Sequence, residues 1–335
     1  MSHTDTFTGA EHDRVYLDIH VHVFPDFYAA AKHAAGVPDV DGWPDPTWSI
    51  EAMLQTAEAH RITAQLLSVS SPGVTFLEGR AGEDLARRLN EYMAGLVRDH
   101  APRFGAMAVL PLPDVDAALT EIAYALDELD MDGIGLLSNY HGMYLGDPQF
   151  DPIFDELNRR QAMVFVHPTI PPHWDTFSVG LAAPVMEYTF DSTRMAMDLV
   201  NAGQKAKYPD VGVIVAHGGG TLPFNYQRVL KYWMGGENNV FDTFFFDLTA
   251  TTEPEQIRAL MALAKPDHCM MGFDFPFMKP DWYPPLQESL EQFDFTPEEL
   301  HAVQFGNACR WFPKVEERLR KAGIIDDRVT EAPGS

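Results

Sequence analysis

The chain has 335 residues, of which 46% are hydrophobic, and this is ample material for a large buried core. Its 24 basic and 49 acidic residues give a net charge of −25, which argues against nucleic acid or an anionic membrane surface as a partner. Only Cys269 and Cys309 are present as cysteines, so a disulfide framework is excluded and a cytoplasmic location is expected. No run approaches the ~18 apolar residues of a membrane span.

Short apolar runs alternate with longer amphipathic ones along the chain. The apolar runs predict eight strands, at residues 15–25, 62–70, 103–112, 131–139, 162–169, 211–218, 244–249 and 268–273. The amphipathic runs predict helices between them, at residues 49–60, 81–100, 114–126, 149–160, 191–207, 223–233, 253–264 and 296–322. Asp114 is the expected N-cap of one helix, and Thr296 with Glu299 forms the capping-box pattern of another.

Eight strand–helix alternations without a change in composition predict one parallel α/β barrel, a (β/α)8 TIM barrel. We expect this single domain to span residues 14–325, with a loop insertion at about 170–189. Residues 1–13 read as a polar extension without the apolar segment of a signal peptide, and residues 326–335 as a tail.

Five chemically active side chains lie at or near the ends of predicted strands. His20 and His22 are two residues apart on the first strand, so their side chains share one face. His167, His217 and Asp274 end the fifth, sixth and eighth strands. Active sites of such barrels lie at the carboxyl ends of the strands, and imidazole with carboxylate suits zinc or another first-row metal. A single histidine in an apolar strand is usually a core residue, but five side chains that follow one rule predict a metal centre.

The chain resembles the amidohydrolase superfamily, and more narrowly its aminocarboxymuconate-semialdehyde-decarboxylase-like branch. The resemblance extends from the His20-x-His22 strand to Gly306-Asn307-Ala308, and its most specific stretch is His217-Gly-Gly-Gly-Thr-Leu-Pro-Phe-Asn-Tyr-Gln-Arg228. Four further stretches are similar to 6-methylsalicylate and other salicylate-type decarboxylases: residues 24–28, 67–73, 137–140 and 190–194.

The resemblance implies a role for each motif residue. One divalent metal, Zn²⁺ with Mn²⁺ as the alternative, would be held by His20, His22, His167 and Asp274, without an organic cofactor. His217 would be an acid/base beside it. Arg228 would reach a substrate carboxylate across a dimer interface, which implies a homodimer or a dimer of dimers.

Two departures from family patterns are visible. Relatives with two metal ions carry a bridging lysine on the fourth strand, whereas residues 131–139 contain none, which supports a single ion. A second arginine used by the aminocarboxymuconate enzyme has no counterpart between Trp43 and Glu51, where tryptophans stand instead. That particular substrate is therefore not favoured.

The function that these features favour is non-oxidative decarboxylation of a small hydroxylated aromatic acid. Loss of CO₂ without an organic cofactor requires a proton on the ring carbon, and His217 or Asp274 would donate it. Aromatic residues of the loops would form the walls of a flat pocket: Trp48 and Phe190, together with Trp43 and Trp174.

Two other functions remain open at this point. The same metal site could activate a water that hydrolyses a lactone, an amide or a C–C bond, with His217 as the base. The barrel could also survive as a binding or scaffold protein that has lost its chemistry. The complete ligand set argues against the scaffold, because a decaying site is expected to lose at least one ligand.

Overall fold

The computed structural model describes residues 16–234 and 240–325, so the predicted extension at 1–13 and tail at 326–335 lie outside the described residues. Eight strands form one sheet, and every neighbouring pair that follows the chain order is parallel. In chain order these barrel strands are Tyr16–His22, Ile62–Ser68, Phe104–Val109, Gly133–Leu137, Met163–His167, Gly212–Val215, Phe245–Asp247 and Cys269–Met270.

The first strand is hydrogen-bonded to the segment that follows the eighth strand. The amide of Ile19 donates to the carbonyl of Met271 at 3.0 Å, and that of His22 to the carbonyl of Phe275 at 2.8 Å. These bonds bring the two ends of the sheet together. The predicted parallel (β/α)8 barrel is therefore confirmed.

Helices follow most strands at the predicted places. Asp114 caps its helix by accepting a hydrogen bond from the amide of Ala117, and Thr296 and Glu299 form the expected capping box. The α-helices are Asp26–Ala34, Ile50–Ala59, Arg80–Asp99, Val115–Ala123, Asp151–Arg159, Trp174–Phe177, Glu187–Asn201, Gln204–Lys207, Leu222–Tyr232, Pro254–Leu263, Tyr283–Gln292, Pro297–His301, Asn307–Trp311 and Pro313–Lys321.

Sequence patterning missed the helices Asp26–Ala34 and Tyr283–Gln292. Asp26–Ala34 is an additional helix between the first two strands, and Tyr283–Gln292 follows the eighth strand and contacts His60, just before the second strand, through Gln287. None of the helices among the described residues is long and apolar enough to cross a membrane.

The two faces of the strands pack in different cores. Val164 and Val166 belong to a cluster with helix residues such as Leu89, as expected for the outer face of a barrel. Phe165, between them, belongs to a second cluster with side chains from the other strands. The helices after residue 305 contribute Phe312 to that cluster. The interior is thus filled, and the opening at the carboxyl ends of the strands remains for a site.

Candidate metal centre

Three histidines and an aspartate converge at the carboxyl ends of the strands. One nitrogen or oxygen from each of His20, His22, His167 and Asp274 lies within 4.8 Å of all the others. Nε2 of His20 and Nε2 of His22 are 3.1 Å apart, and Nε2 of His22 is 3.2 Å from Oδ1 of Asp274. The alternation of the first strand therefore places both imidazoles on one face, as their spacing predicts.

The other nitrogen of each imidazole is bound by the protein. Nδ1 of His20 lies 3.0 Å from Oδ2 of Asp247, and Nδ1 of His22 lies 2.9 Å from Oγ of Ser68. Nδ1 of His167 lies 2.7 Å from the carbonyl oxygen of Pro168. Such contacts at the second nitrogen orient metal-binding histidines and leave Nε2 free for the ion.

Asp274 and His217 follow the last residues of their strands. The eighth strand ends at Met270 and the sixth at Val215, both earlier than sequence patterning predicts, although the amide of Asp274 still donates to the carbonyl of His20 at 2.7 Å. Both residues adopt left-handed backbone conformations, with φ of 55° at Asp274 and 58° at His217. This conformation is costly outside glycine and is found preferentially at functional sites, where it aims a side chain.

The donor set fits a divalent cation. Oδ1 of Asp274 is buried and has no hydrogen-bond partner in the described part of the chain, which is the expected state of a carboxylate that ligates a metal. Burial alone would raise the pKa of Asp274, but the charge of His20 and the neighbouring imidazoles of His217 and His22 hold it well below its usual range. Burial lowers the pKa of His22 to about 4 and holds that of His167 well below its usual value.

A ligating carboxylate must be ionised and a ligating imidazole neutral, so the pKa shifts of Asp274, His22 and His167 fit metal binding. Burial lowers the pKa of His20, but the carboxylates of Asp247 and Asp274 raise it overall. The four residues could hold one divalent metal ion. The fourth strand, Gly133–Leu137, contains no lysine that could bridge two metal ions. The expectation of a single ion rests on this feature of the sequence.

His217 lies beside this cluster. Its Nε2 is 3.8 Å from Oδ2 of Asp274, and its Nδ1 has no hydrogen-bond partner in the described residues. Its backbone amide donates to Oδ1 of Asp247 at 3.2 Å, so one carboxylate anchors both His20 and His217. An imidazole placed in this way can exchange a proton with Asp274 or with a molecule in front of the metal site.

A cavity of about 550 Å³ opens in front of the cluster, and His167, His217 and Asp274 form part of its wall. Apart from these three, most of the wall is apolar or aromatic: Val40, Trp43, Pro184, Val185, Tyr188, Ala250, Phe277, Met278, Trp282 and Pro285. Ser70, Thr252 and Glu253 supply its remaining polar groups, and in the part of the chain that the structure describes no arginine or lysine lines it. Its size and composition suit a small aromatic molecule.

The other predicted substrate residues lie outside this wall. Arg228 is exposed on the helix Leu222–Tyr232, in a surface groove with Tyr232 and Trp233. Trp48 packs against Tyr92, with ring centroids 6.2 Å apart, and Phe190 is 39% exposed. Their roles in binding stay predictions.

Two contacts of the site, those of Ser68 and Tyr188, were not found by sequence reasoning. Ser68 and Tyr188 contact the histidines directly, and the ring centroids of Tyr188 and His167 are 5.7 Å apart in an edge-to-face arrangement. Ser68 ends the second strand, so the strand-end rule that found the histidines also applies to it. Trp43, which the sequence predicts for the pocket wall, lines the cavity.

The strand ends of this parallel (β/α)8 barrel carry three histidines, an aspartate and a further histidine. This combination defines a metal-dependent barrel enzyme of the amidohydrolase type. The amidohydrolase family profile matches residues 17–314, and the chain belongs to this family. Its relatives place it on the decarboxylase branch. The 6-methylsalicylic acid decarboxylase acuB of Aspergillus aculeatus is 35% identical over 327 residues, which cover 90% of this chain and 96% of that protein.

Solved structures agree with the fold. The crystal structure of an amidohydrolase II has a TM-score of 0.83 at 29% identity and covers 89% of this chain and 99% of that one. A dihydroxybenzoic acid decarboxylase of a Polaromonas species, with bound manganese and the inhibitor 2-nitroresorcinol, has a TM-score of 0.73 at 18% identity. It covers 90% of this chain and 96% of its own.

Proposed function

We propose that this protein is a metal-dependent, non-oxidative decarboxylase of a salicylate-type hydroxylated aromatic acid, such as 6-methylsalicylate. The observation that carries the proposal is the placement of the metal-type cluster and His217 at the floor of a cavity with aromatic walls. The relative that decarboxylates 6-methylsalicylic acid supports the same reaction, since the two proteins align along nearly their whole lengths.

The proposed ligands are His20, His22, His167 and Asp274. Zn²⁺ is the proposed ion because nitrogen-rich sets with one carboxylate suit it, and Mn²⁺ is the alternative, supported by the manganese in the related structure. A bound ion would stabilise negative charge and orient a carboxylate with its ortho oxygen. No organic cofactor is required, because the aromatic ring itself accepts the electron pair.

The reaction requires residues of this chain to transfer one proton to the ring. Breaking the bond between the ring and the carboxyl group releases CO₂ and leaves the electron pair on the ring carbon, which must then be protonated. Asp274 and His217 are the proposed catalytic groups, because Nε2 of His217 lies 3.8 Å from Oδ2 of Asp274. Positioned acids of this kind contribute roughly 10²–10⁴ in rate.

The cavity wall favours a substrate with a single carboxylate. Among residues 16–234 and 240–325 no arginine or lysine lines the cavity, Glu253 adds a negative group to it, and the chain carries a net charge of −25. A second carboxylate on the ring would be desolvated among groups such as Val185 and Phe277 without a counter-charge, which is costly. Methyl or other apolar substituents would instead pack against these side chains.

A homodimer, or a dimer of dimers, is the proposed assembly. Arg228 shares its helix with the exposed aromatic residues Phe224, Tyr232 and Trp233, which are 70%, 74% and 77% exposed. An apolar surface of this kind is typical of an interface. A dimer that forms through this surface would place Arg228 of one subunit beside the active site of its partner. The proposed location is the cytoplasm, supported by the free and buried thiols of Cys269 and Cys309.

The test is to incubate the zinc- or manganese-loaded protein with 6-methylsalicylate, salicylate and resorcylates while CO₂ and the ring products are measured. We expect one equivalent of CO₂ for each phenol formed, and one solvent deuteron on the ring when the reaction runs in D₂O. If none of these acids turns over while lactones or esters are hydrolysed, the site is a hydrolase and the proposal is wrong.

A further inference from the structure

Residues Val40, Asp41, Gly42 and Trp43 form a tight turn beside the cavity. The amide and carbonyl groups of Val40 and Trp43 pair in both directions at 2.8 Å. The two central residues are both left-handed, with φ of 53° at Asp41 and 84° at Gly42. Asp-Gly is the preferred pair for such a turn, because glycine and aspartate tolerate this conformation best. The turn directs Val40 and Trp43 to the cavity wall.

The side chain of Asp41 does not line the cavity, and it connects this turn to the loop of Ser71 and to the helix Glu187–Asn201, which carries Tyr188. Its Oδ2 accepts hydrogen bonds of 2.6 Å from the hydroxyl groups of Tyr188 and Ser71. The hydroxyl group of Ser71 also lies 2.7 Å from that of Thr169, at the start of the loop insertion. The carbonyl oxygen of Asp41 accepts a hydrogen bond from the amide of Ala183 within the same insertion.

Gly42 lies directly against the insertion. A Cβ atom at this position would be 3.4 Å from both Cα of Ala182 and the indole of Trp174, so the close packing depends on the absence of a side chain. On the other side of the turn, the buried Lys32 holds the loop, since its Nζ pairs with the carboxylate of Asp45 at 2.7 Å. Lys32 therefore holds the segment that follows the turn, and Gly42 packs against the insertion.

The groups that Asp41 connects are the ones that build the outer wall of the cavity. Tyr188, Val185 and Pro184 face the cavity from the insertion and the following helix, and Val40 and Trp43 face it from the turn. We propose that Asp41 is a positioning residue, which sets the width of the substrate cavity by holding the turn, Ser71 and Tyr188 together. It touches neither the metal cluster nor the cavity, so it acts on substrate binding through Tyr188 and Trp43.

The first test compares substrate binding in the Asp41→Ala and Asp41→Asn variants of the full-length, metal-loaded protein. The probe is 3-methyl-2-nitrophenol, an analogue of 6-methylsalicylate whose nitro group replaces the carboxylate and cannot be lost as CO₂. Loss of the hydrogen bonds to the Asp41 carboxylate is expected to weaken its binding in Asp41→Ala by about tenfold or more. Asp41→Asn should restore part of the affinity, because its amide oxygen can accept the bonds from Tyr188 and Ser71 but its amide group cannot replace every bond, since the backbone amide of Ile170 also donates to the carboxylate.

Turnover gives a second readout, which rests on the proposed function. In Asp41→Ala we expect the KM for 6-methylsalicylate to rise by about tenfold, while kcat at saturation falls less than about threefold and the bound metal is unchanged. Tyr188→Phe should raise KM in the same direction. The double variant should be no worse than Asp41→Ala alone, because the two side chains act through one bond.

Two matched controls separate positioning from a general loss of stability. Tyr28→Phe removes another buried tyrosine hydroxyl, which donates to the carbonyl of Gly73 and does not line the cavity. Asp198→Ala removes another aspartate that holds a loop, through the amide of Gly146 at 2.7 Å. Both should lower the melting temperature without changing the affinity for the nitrophenol.

The proposal is wrong if Asp41→Ala binds the nitrophenol as tightly as the wild-type protein, or if Asp41→Asn fails as badly as Asp41→Ala. Amide exchange measured across residues 168–186 provides a readout independent of any ligand, and it should be faster in Asp41→Ala at Ala183. Normal wild-type binding of the nitrophenol without turnover of any aromatic acid would contradict the proposed function and leave this test of Asp41 intact.

Discussion

Nδ1 of His20 lies 3.0 Å from Oδ2 of Asp247, and both side chains are fully buried. This contact places the imidazole proton on Nδ1 and directs the lone pair of Nε2 into the cluster. Oδ1 of the same carboxylate accepts the backbone amide of His217. Asp247 therefore determines the orientation of one proposed metal ligand and the backbone position of the proposed acid/base.

Replacement of Asp247 should weaken metal binding without removing a ligand. Asp247→Asn loses the negative charge beside His20, and we expect its affinity for Zn²⁺ to fall by roughly 10–100-fold. Competition with a chromophoric chelator measures this change. Asp198→Asn is the matched control, because Asp198 binds a backbone amide far from the cluster. An unchanged zinc affinity in Asp247→Asn would show that this contact is not required to orient His20.

His167 and His217 should respond differently to removal. His167→Ala deletes one of four proposed ligands, so the purified protein should contain little metal by elemental analysis. His217→Ala keeps all four and should retain about one equivalent of metal, but its kcat should fall by roughly 10²–10⁴ as a proton donor is lost. Full activity in His217→Ala would remove its proposed role in the reaction.

Arg228 should act on the partner's site if the proposed dimer is correct. Arg228→Ala and His217→Ala should each be nearly inactive when purified alone. Subunits mixed at equal amounts and allowed to exchange should recover about a quarter of wild-type activity, because half of the symmetric dimers are then mixed and each has one intact site. If activity is not recovered although the exchange of subunits is proven, Arg228 does not act across an interface.

The outer helix Asp151–Arg159 offers a pH-dependent contribution to stability that is independent of the metal. Hydrogen bonds from Arg159, at 2.6 Å, and from Arg160 lower the pKa of Glu156 to about 2. A carboxyl group whose pKa is depressed on folding stabilises the protein above its unfolded value near 4.5, and this contribution is lost as the pH falls towards 2.

Glu156→Gln tests this contribution. We expect it to lower the free energy of unfolding by about 0.5–1 kcal/mol at pH 6, since the group is partly exposed to solvent, and by much less at pH 2.5. Urea unfolding at the two pH values measures the difference. An equal loss at both values would assign the effect to packing rather than to charge.

Much of the barrel was predictable because local patterns control it. The eight apolar runs bury their strands on both faces, and Asp114 and Thr296 mark helix starts through their own side chains. The helices Asp26–Ala34 and Tyr283–Gln292 escaped detection. The first is a second helix in the connection between two strands, and the second has Pro284 and Pro285 in its first turn, a pair that is typical of a loop.

The cavity wall was less predictable than its floor. Among the aromatic residues expected there, Trp43 lines the cavity whereas Trp48 packs against Tyr92. The two tryptophans are five positions apart in one irregular segment, where no period relates position to direction. The left-handed turn at Asp41 and Gly42 directs Trp43 to the cavity wall, and this turn is held by a hydrogen bond from Tyr188, more than 100 residues later.

The sequence by itself determined the barrel and the residues at its strand ends, because a strand alternates its side chains and a parallel barrel collects strand ends at one face. This is why His20, His22, His167, His217 and Asp274 could be named as one group before any contact was known, whereas the resemblance separated the four proposed ligands from His217. The tertiary structure decided which side chains surround the cavity. Ser68 and Asp41 act through contacts between distant segments, and no local pattern encodes such contacts.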